Sequence, residues 1–251
     1  MTSFGESVSK LSEILDSSTN IVFFGGAGVS TESGVPDFRS ESGLYSASQV
    51  YGYPPEQLLS RSFFDRKPEL FFQYYKEKLI YADARPNKAH SALARLERKG
   101  ALKAVITQNV DGLHQAAGSQ NVLELHGSSH RNVCIGCGEK YDLNYILDAE
   151  NCEIFVPKCK KCGGTVRPDI ILYEEDLDSR VMQASVDAIS AADCLIVGGT
   201  SLAVYPAAGL LRYFKGRSLT LINKTQTPYD GSAGLIIRES IAQVLDAAVR
   251  G

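Results

Sequence analysis

Two short apolar runs in this chain end in the same way. Ile21 to Phe24 stops at Gly25-Gly26, and Cys194 to Val197 stops at Gly198-Gly199. A continuous apolar run that halts at paired glycines reads as a buried strand leaving its sheet through a tight turn. Ala104 to Ile106 and Leu219 to Ile222 have the same character, and residues 121–125 form a further short strand. Helix-period segments separate them. Residues 5–17 carry Val8, Leu11, Ile14 and Leu15 at helical spacing, and Pro68 opens a helix running to about Tyr81. Asn87 caps a helix with Ala89, Leu93 and Leu96 on one face, which Gly100 ends. Residues 177–191, a stretch from Pro206 and residues 239–249 complete the set. Strands alternating with helices predict an α/β fold, a Rossmann-like doubly wound parallel sheet.

The bulk properties exclude other classes. With 26 basic and 29 acidic residues the net charge is −3, so no global basic field draws the chain to nucleic acid or anionic lipid. No apolar run approaches the length of a membrane helix, and MTSFGESVSK does not read as a signal peptide. The expectation is a cytoplasmic protein.

Residues 131–164 hold five of the six cysteines and break the α/β rhythm. Residues 40–66 are irregular, with Gly43, Gly52, Pro54 and Pro55. The expected division is a discontinuous large domain (1–39, 82–130 and 165–251) and a small helical and zinc-ribbon domain (40–81 and 131–164). Within the second, Cys134-x2-Cys137 and Cys159-x2-Cys162 stand 21 residues apart, each pair beside glycines. Four thiolates on two tight turns make a closed tetrahedral zinc site with no open position for water, hence structural. The competing reading is two redox pairs, but nothing places either at a helix N-terminus. Cys152 and Cys194 fall outside the pairs and read as packing residues.

Gly26-Ala27-Gly28 after the first strand suits a pyrophosphate, with close backbone approach and N–H donors from a following helix. Gly-rich strand ends that bind nothing are also common. A hydride-carrying dehydrogenase needs an acidic residue about 20 positions on, on a second strand. Tyr45 to Val50 offers neither acid nor strand. Instead Ser33-Gly-Val-Pro-Asp37-Phe38-Arg39 follows, with an aromatic plate and a cation for phosphate.

Thr107-Gln108-Asn109-Val110-Asp111 directly follows another strand, where an open parallel sheet binds ligands. It reads either as a ribose-binding cluster or as a capping turn. His126 ends Val122-Leu-Glu-Leu-His and lies at a strand's carboxyl edge, a place for a general base. His90 reads as packing beside Leu93, and spacing does not decide His114 or His130.

Jointly these motifs resemble the sirtuin (Sir2) family of NAD-dependent protein deacylases, of bacterial type. Gly26-Ala-Gly-Val-Ser30, Ser33 to Arg39, Thr107 to Asp111, Glu124-Leu-His-Gly127, the four cysteines, Arg167-Pro-Asp169, Gly199-Thr-Ser201 and Asn223 occur in the family's order, over about residues 8–249. The resemblance implies NAD as co-substrate, one structural zinc and acetyl-lysine proteins as partners. It puts Gly26, Ala27, Gly28, Thr31, Asp37, Phe38 and Arg39 at the NAD site, Phe38 near nicotinamide. Gln108, Asn109, Val110 and Asp111 would serve ribose and nicotinamide. Gly199, Thr200, Ser201, Asn223, Ser240 and Ile241 would hold the adenosine half. His126 would be the catalytic base, aided by Asn109 and Asp111. Ile170, Ile171, Leu172, Tyr173 and Glu174 would pair with substrate peptide as an added strand. Nicotinamide leaves, the acyl amide oxygen attacks the ribose, and O-acetyl-ADP-ribose and free lysine result.

Two departures bear on specificity. Where members often carry Phe-Gly-Glu, this chain has Tyr173-Glu174-Glu175, which puts a carboxylate beside the peptide groove and biases it towards basic flanking residues. Succinyl-preferring members carry Tyr-x-x-Arg. Here Tyr75 and Lys78 have that spacing, but lysine cannot grip a carboxylate bidentately. Deacetylation is expected over desuccinylation. ADP-ribosyl transfer to protein and removal of longer acyl chains are the alternatives.

Overall fold

The structure, a computed structural model, describes residues 3–37 and 47–249. Its strands in chain order are β1 (Ile21–Gly25), β2 (Leu102–Thr107), β3 (Val122–Glu124), β4 (Gly127–Cys134), β5 (Lys140–Tyr141), β6 (Cys152–Glu153), β7 (Val156–Pro157), β8 (Val166–Ile170), β9 (Cys194–Gly198), β10 (Ser218–Ile222) and β11 (Leu235–Ile237). Six of them form one sheet, in the order β11-β10-β9-β1-β2-β3, with every pairing parallel. The chain runs outward from β1 through β2 to β3, then returns to β9 and proceeds the other way. That reversal is the doubly wound arrangement the sequence predicts, and its switch point lies between β1 and β9.

Strand alternation divides the core. Phe23, Val105 and Ile196 face one apolar layer with Leu11, Leu93 and Leu245 of the covering helices. Val22, Phe24, Ile106, Leu195 and Val197 face the other, with Ile189 and Leu211. All five residues of β1 and of β9 are buried, as the continuous apolar runs require. Asn87 caps helix Lys88–Arg98 by accepting from Ala89 N–H, and Gly100 beyond it has φ +75°.

A further apolar cluster gathers residues between 51 and 172 away from the six-stranded sheet. The irregular reading of residues 40–66 is corrected in the described part: Ala47–Tyr51, Pro55–Leu58 and Arg61–Arg66 are short helices preceding Pro68–Lys78. Each is too short to show a 3.6-residue period. They form because Phe63, Phe64, Phe71, Phe72, Tyr74 and Tyr75 bury against each other, with Phe64, Phe71 and Phe72 in edge contacts. Each fully buried aromatic contributes about 1.5–3 kcal/mol. The small antiparallel sheet β5-β4-β8 packs on the same cluster through Cys134, Val166 and Ile170. The stretch after Pro206 is 3-10 over Ala207–Tyr213 rather than an α-helix.

Candidate active site

The switch point is built from glycines. Gly25 pairs with Gly198 where β1 and β9 end. Beyond them Gly28 N–H donates to Gly199 O at 2.8 Å. A Cβ on Gly28 would lie 2.7 Å from Gly199 Cα, and Gly199 itself holds φ +60°. Only glycine permits both the approach and the left-handed backbone. The regular helix expected after this turn is absent. Two 3-10 turns, Ala27–Val29 and Thr31–Ser33, take its place, closed by Gly34 in a left-handed conformation. Ser30 sits between the two turns, and its hydroxyl donates to Asp111 Oδ2 at 2.7 Å.

That bond joins the glycine turn to the polar cluster after β2. Asn109 Nδ2 donates to Gly26 O and Ser30 Oγ, each at 3.1 Å. Gln108 Nε2 donates to Thr200 Oγ1 at 3.1 Å, which reaches the turn after β9. Asp111 Oδ1 accepts from Leu113 N–H at 3.0 Å, so the turn-capping reading of Asp111 also holds. Three strand ends are thus tied by side chains that line one cleft of about 970 Å³.

His126 follows β3 and lines the same cleft, half-buried. Its Nδ1 lies 2.9 Å from Gln108 O. A carbonyl only accepts, so Nδ1 carries the proton and the neutral ring keeps a lone pair on Nε2. Burial pushes the imidazole below its ordinary value, against the opposing pull of that carbonyl. The ring is thereby favoured in its neutral form near pH 7. Gly127, at φ +78°, turns the chain into β4, and a Cβ there would lie 2.0 Å from Asp169 O.

The cleft gathers Gly26, Ala27, Gly28, Thr31 and Asp37 from the first turn, and Gln108, Asn109, Val110 and Asp111 from the second. It also takes in Gly199, Thr200, Ser201, Asn223, Ser240 and Ile241, together with Ile170, Ile171, Leu172, Tyr173 and Glu174. Phe38 and Arg39 lie outside the described residues. Sequence reasoning missed Glu32, Tyr205 and Lys224, which also line it. Glu32 accepts from Ser240 Oγ and closes the far end. A lone acid in a turn carries no signal for a partner 208 residues away.

Two expectations about specificity change. Glu174 does not offer its carboxylate freely, because both oxygens accept from Ser62. Tyr75 is fully buried, and only Lys78 of the Tyr75–Lys78 spacing lines the cleft. The cause is helical geometry, since Tyr75 faces the aromatic cluster and stacks on Phe71.

The four paired cysteines converge as the sequence predicts. The Sγ atoms of Cys134, Cys137, Cys159 and Cys162 lie within 4.8 Å of one another. Gly164 packs so closely that a Cβ there would sit 3.2 Å from Cys134 Sγ. Four thiols and no carboxylate or imidazole fit tetrahedral zinc. Among the described residues none of the four lines the cleft. Cys194 is buried in β9, while Cys152 meets Lys76 Nζ at 3.1 Å.

A glycine-built switch point, a half-buried neutral imidazole and a remote thiolate site define a dinucleotide-using α/β enzyme with structural zinc. The particular family follows from comparison. The Sir2 family profile matches residues 26–206, and the chain belongs to that family. It is 57% identical to an "NAD-dependent protein deacetylase" of Clostridium acetobutylicum, over 97% of this chain and 98% of the relative. It is 52% identical to a protein of that name from Cutibacterium acnes, over 96% and 97%. Among solved structures it superposes on a Sir2 protein with deacetylated p53 peptide and 3'-O-acetyl ADP ribose at TM-score 0.86 and 35% identity, covering 96% of each chain. It superposes on a Sir2 complex with p53 peptide and NAD+ at TM-score 0.82 and 37% identity, covering 95% of each.

Proposed function

We infer that the chain is an NAD-dependent protein-lysine deacetylase, releasing nicotinamide and O-acetyl-ADP-ribose. The observation that carries the reading is His126, Nδ1–H bound to Gln108 O, in one cleft with the glycine-built switch point. Bound NAD supplies the ribose that accepts the acyl group. The backbone around Gly26 to Gly28 approaches its pyrophosphate, as Rossmann turns do. Asn109 and Asp111, fixed by Ser30, orient the nicotinamide-side ribose. Thr200, Ser201, Asn223, Ser240 and Ile241 hold the adenosine half. His126 Nε2 takes the proton from a ribose hydroxyl. Ile170 to Glu174 line the substrate peptide.

Acetyl-lysine is the preferred substrate over succinyl-lysine, because helix Pro68–Lys78 has no arginine and Tyr75 faces away from the cleft. Residues 1–39, 82–130 and 165–251 act as the NAD-binding domain, and 40–81 with 131–164 as the small domain. A cytoplasmic location suits a four-thiol site, which needs reduced cysteines. Among the described residues no helix is long and apolar enough to cross a membrane.

The test is incubation with NAD and an acetyl-lysine peptide, with products followed by mass spectrometry. Free lysine peptide and O-acetyl-ADP-ribose in equal amounts support the reading. ADP-ribosylated protein instead makes it a transferase, and no NAD loss removes the activity altogether.

A further inference from the structure

We propose that Glu174 is a positioning residue whose carboxylate clasps Ser62, fixing one wall of the peptide groove against the small helical unit. The inference rests on the reading that Ile170 to Glu174 line the substrate peptide. Its basis is a strained backbone held by a specific side chain. Glu174 has φ +76°, in the left-handed region that residues other than glycine rarely adopt. Glycine would sit there freely, so some interaction holds a larger residue in place.

The interaction is visible. One carboxylate oxygen accepts from Ser62 N–H at 2.8 Å and the other from Ser62 Oγ at 3.0 Å. Ser62 lies in the first turn of helix Arg61–Arg66, where backbone N–H groups have no intrahelical partner. Ser60 supplies an acceptor for Phe63 N–H, and Glu174 supplies one for Ser62. Charge-assisted bonds of this kind are the stronger class.

The clasp completes a seam. Tyr173 N–H donates to Leu59 O at 3.0 Å, and Arg61 N–H donates to Tyr173 O at 2.9 Å. Arg61 Nη1 meets Glu175 Oε1 at 3.3 Å, and Arg167 holds the same carboxylate at 2.7 Å. Three consecutive residues, Tyr173 to Glu175, therefore grip Leu59 to Ser62. Upstream the wall is anchored separately: Ile170 pairs with Gly127, and Ile171 N–H donates to His126 O at 3.0 Å. Losing the clasp loosens the far end of the wall and leaves the imidazole end in place. The effect falls on peptide affinity, not on the chemical step.

The experiment is steady-state kinetics on the full chain with two acetyl-lysine peptides, one flanked by lysine and one by alanine. Glu174→Gly raises the KM of both peptides about three- to tenfold, with kcat and NAD KM within about twofold of wild type. Glu174→Gln keeps an acceptor oxygen for Ser62 and recovers most of the loss. A wild-type peptide KM in Glu174→Gly overturns the clasp. So does a defect confined to the lysine-flanked peptide and equal in Glu174→Gln, since the carboxylate would then read substrate charge directly. A fall in kcat with peptide KM unchanged marks a merely structural role and also overturns it. Ile171→Trp, which fills the cleft wall, separates the two readings. If it raises peptide KM while Glu174→Gly does not, only the clasp fails. If neither raises it, the groove assignment fails as well.

Discussion

Gly28 and Gly199 meet backbone to backbone at the ends of β1 and β9, 2.8 Å between N–H and carbonyl. No side chain fits between them. A Cβ on Gly199 would lie 2.4 Å from Val29 N, and its φ of +60° adds about 1–2 kcal/mol for an L-residue. Gly199→Ala should therefore lower the melting temperature and weaken NAD binding at least about tenfold. Titration calorimetry beside a thermal melt checks it, and wild-type affinity would show that the contact is dispensable.

His126→Ala should fold normally and retain NAD binding while losing about 10²–10⁴-fold in turnover, the usual worth of a positioned general base. The wild-type pH profile gives a second check. Because burial lowers the imidazole's pKa, the neutral base survives below pH 6.5, and the acid limb of kcat/KM should lie under that value. An acid limb above 6.5 would contradict the environment described for the ring.

His90 and His114 are buried with ring centroids 4.7 Å apart. Burial holds them at about 4 and about 3 respectively, with the Asp111 charge opposing the shift on His90 and the His90 charge deepening it on His114. Folded-state values below the unfolded 6.5 mean that the unfolded chain binds more protons in acid. Stability is therefore complete above pH 6.5 and falls as pH drops towards 4. The loss should grow continuously from pH 6.5 downwards as the unfolded chain takes up these protons. Denaturant melts of wild type and His114→Leu at pH 7 and 5 test it, since the variant should lose less between the two.

Cys134→Ser breaks the closed thiolate set, so zinc content should fall from one ion per chain and folded yield with it, because structural zinc contributes folding free energy directly. A variant that is folded, active and zinc-free would refute a structural role for the site.

The parallel sheet was legible because β1 and β9 are buried on both faces and so read as unbroken apolar runs. β11, Leu235 to Ile237, is an apolar run of only three residues, too short to tell a strand from a loop, and it takes its place by pairing with β10. The short helices between Ala47 and Arg66 escaped for a similar reason, being held by Phe63 and Phe64 rather than by periodicity. In the site, residues at strand ends could be found from position alone, as with Asn109 and His126. Glu32 and Ser62 could not, because their partners, Ser240 and Glu174, are distant in sequence. The helix expected after Gly28 is replaced by two 3-10 turns, and Gly28 N–H is tied to Gly199 O, a partner that local propensity cannot see.

The most direct test of the account is a crystal structure with NAD and an acetyl-lysine peptide bound together. The pyrophosphate should lie against Gly26 to Gly28, with a hydroxyl of the nicotinamide-side ribose within hydrogen-bond reach of His126 Nε2. NAD seated away from the β1–β9 switch point, or the imidazole turned from the ribose, would contradict it.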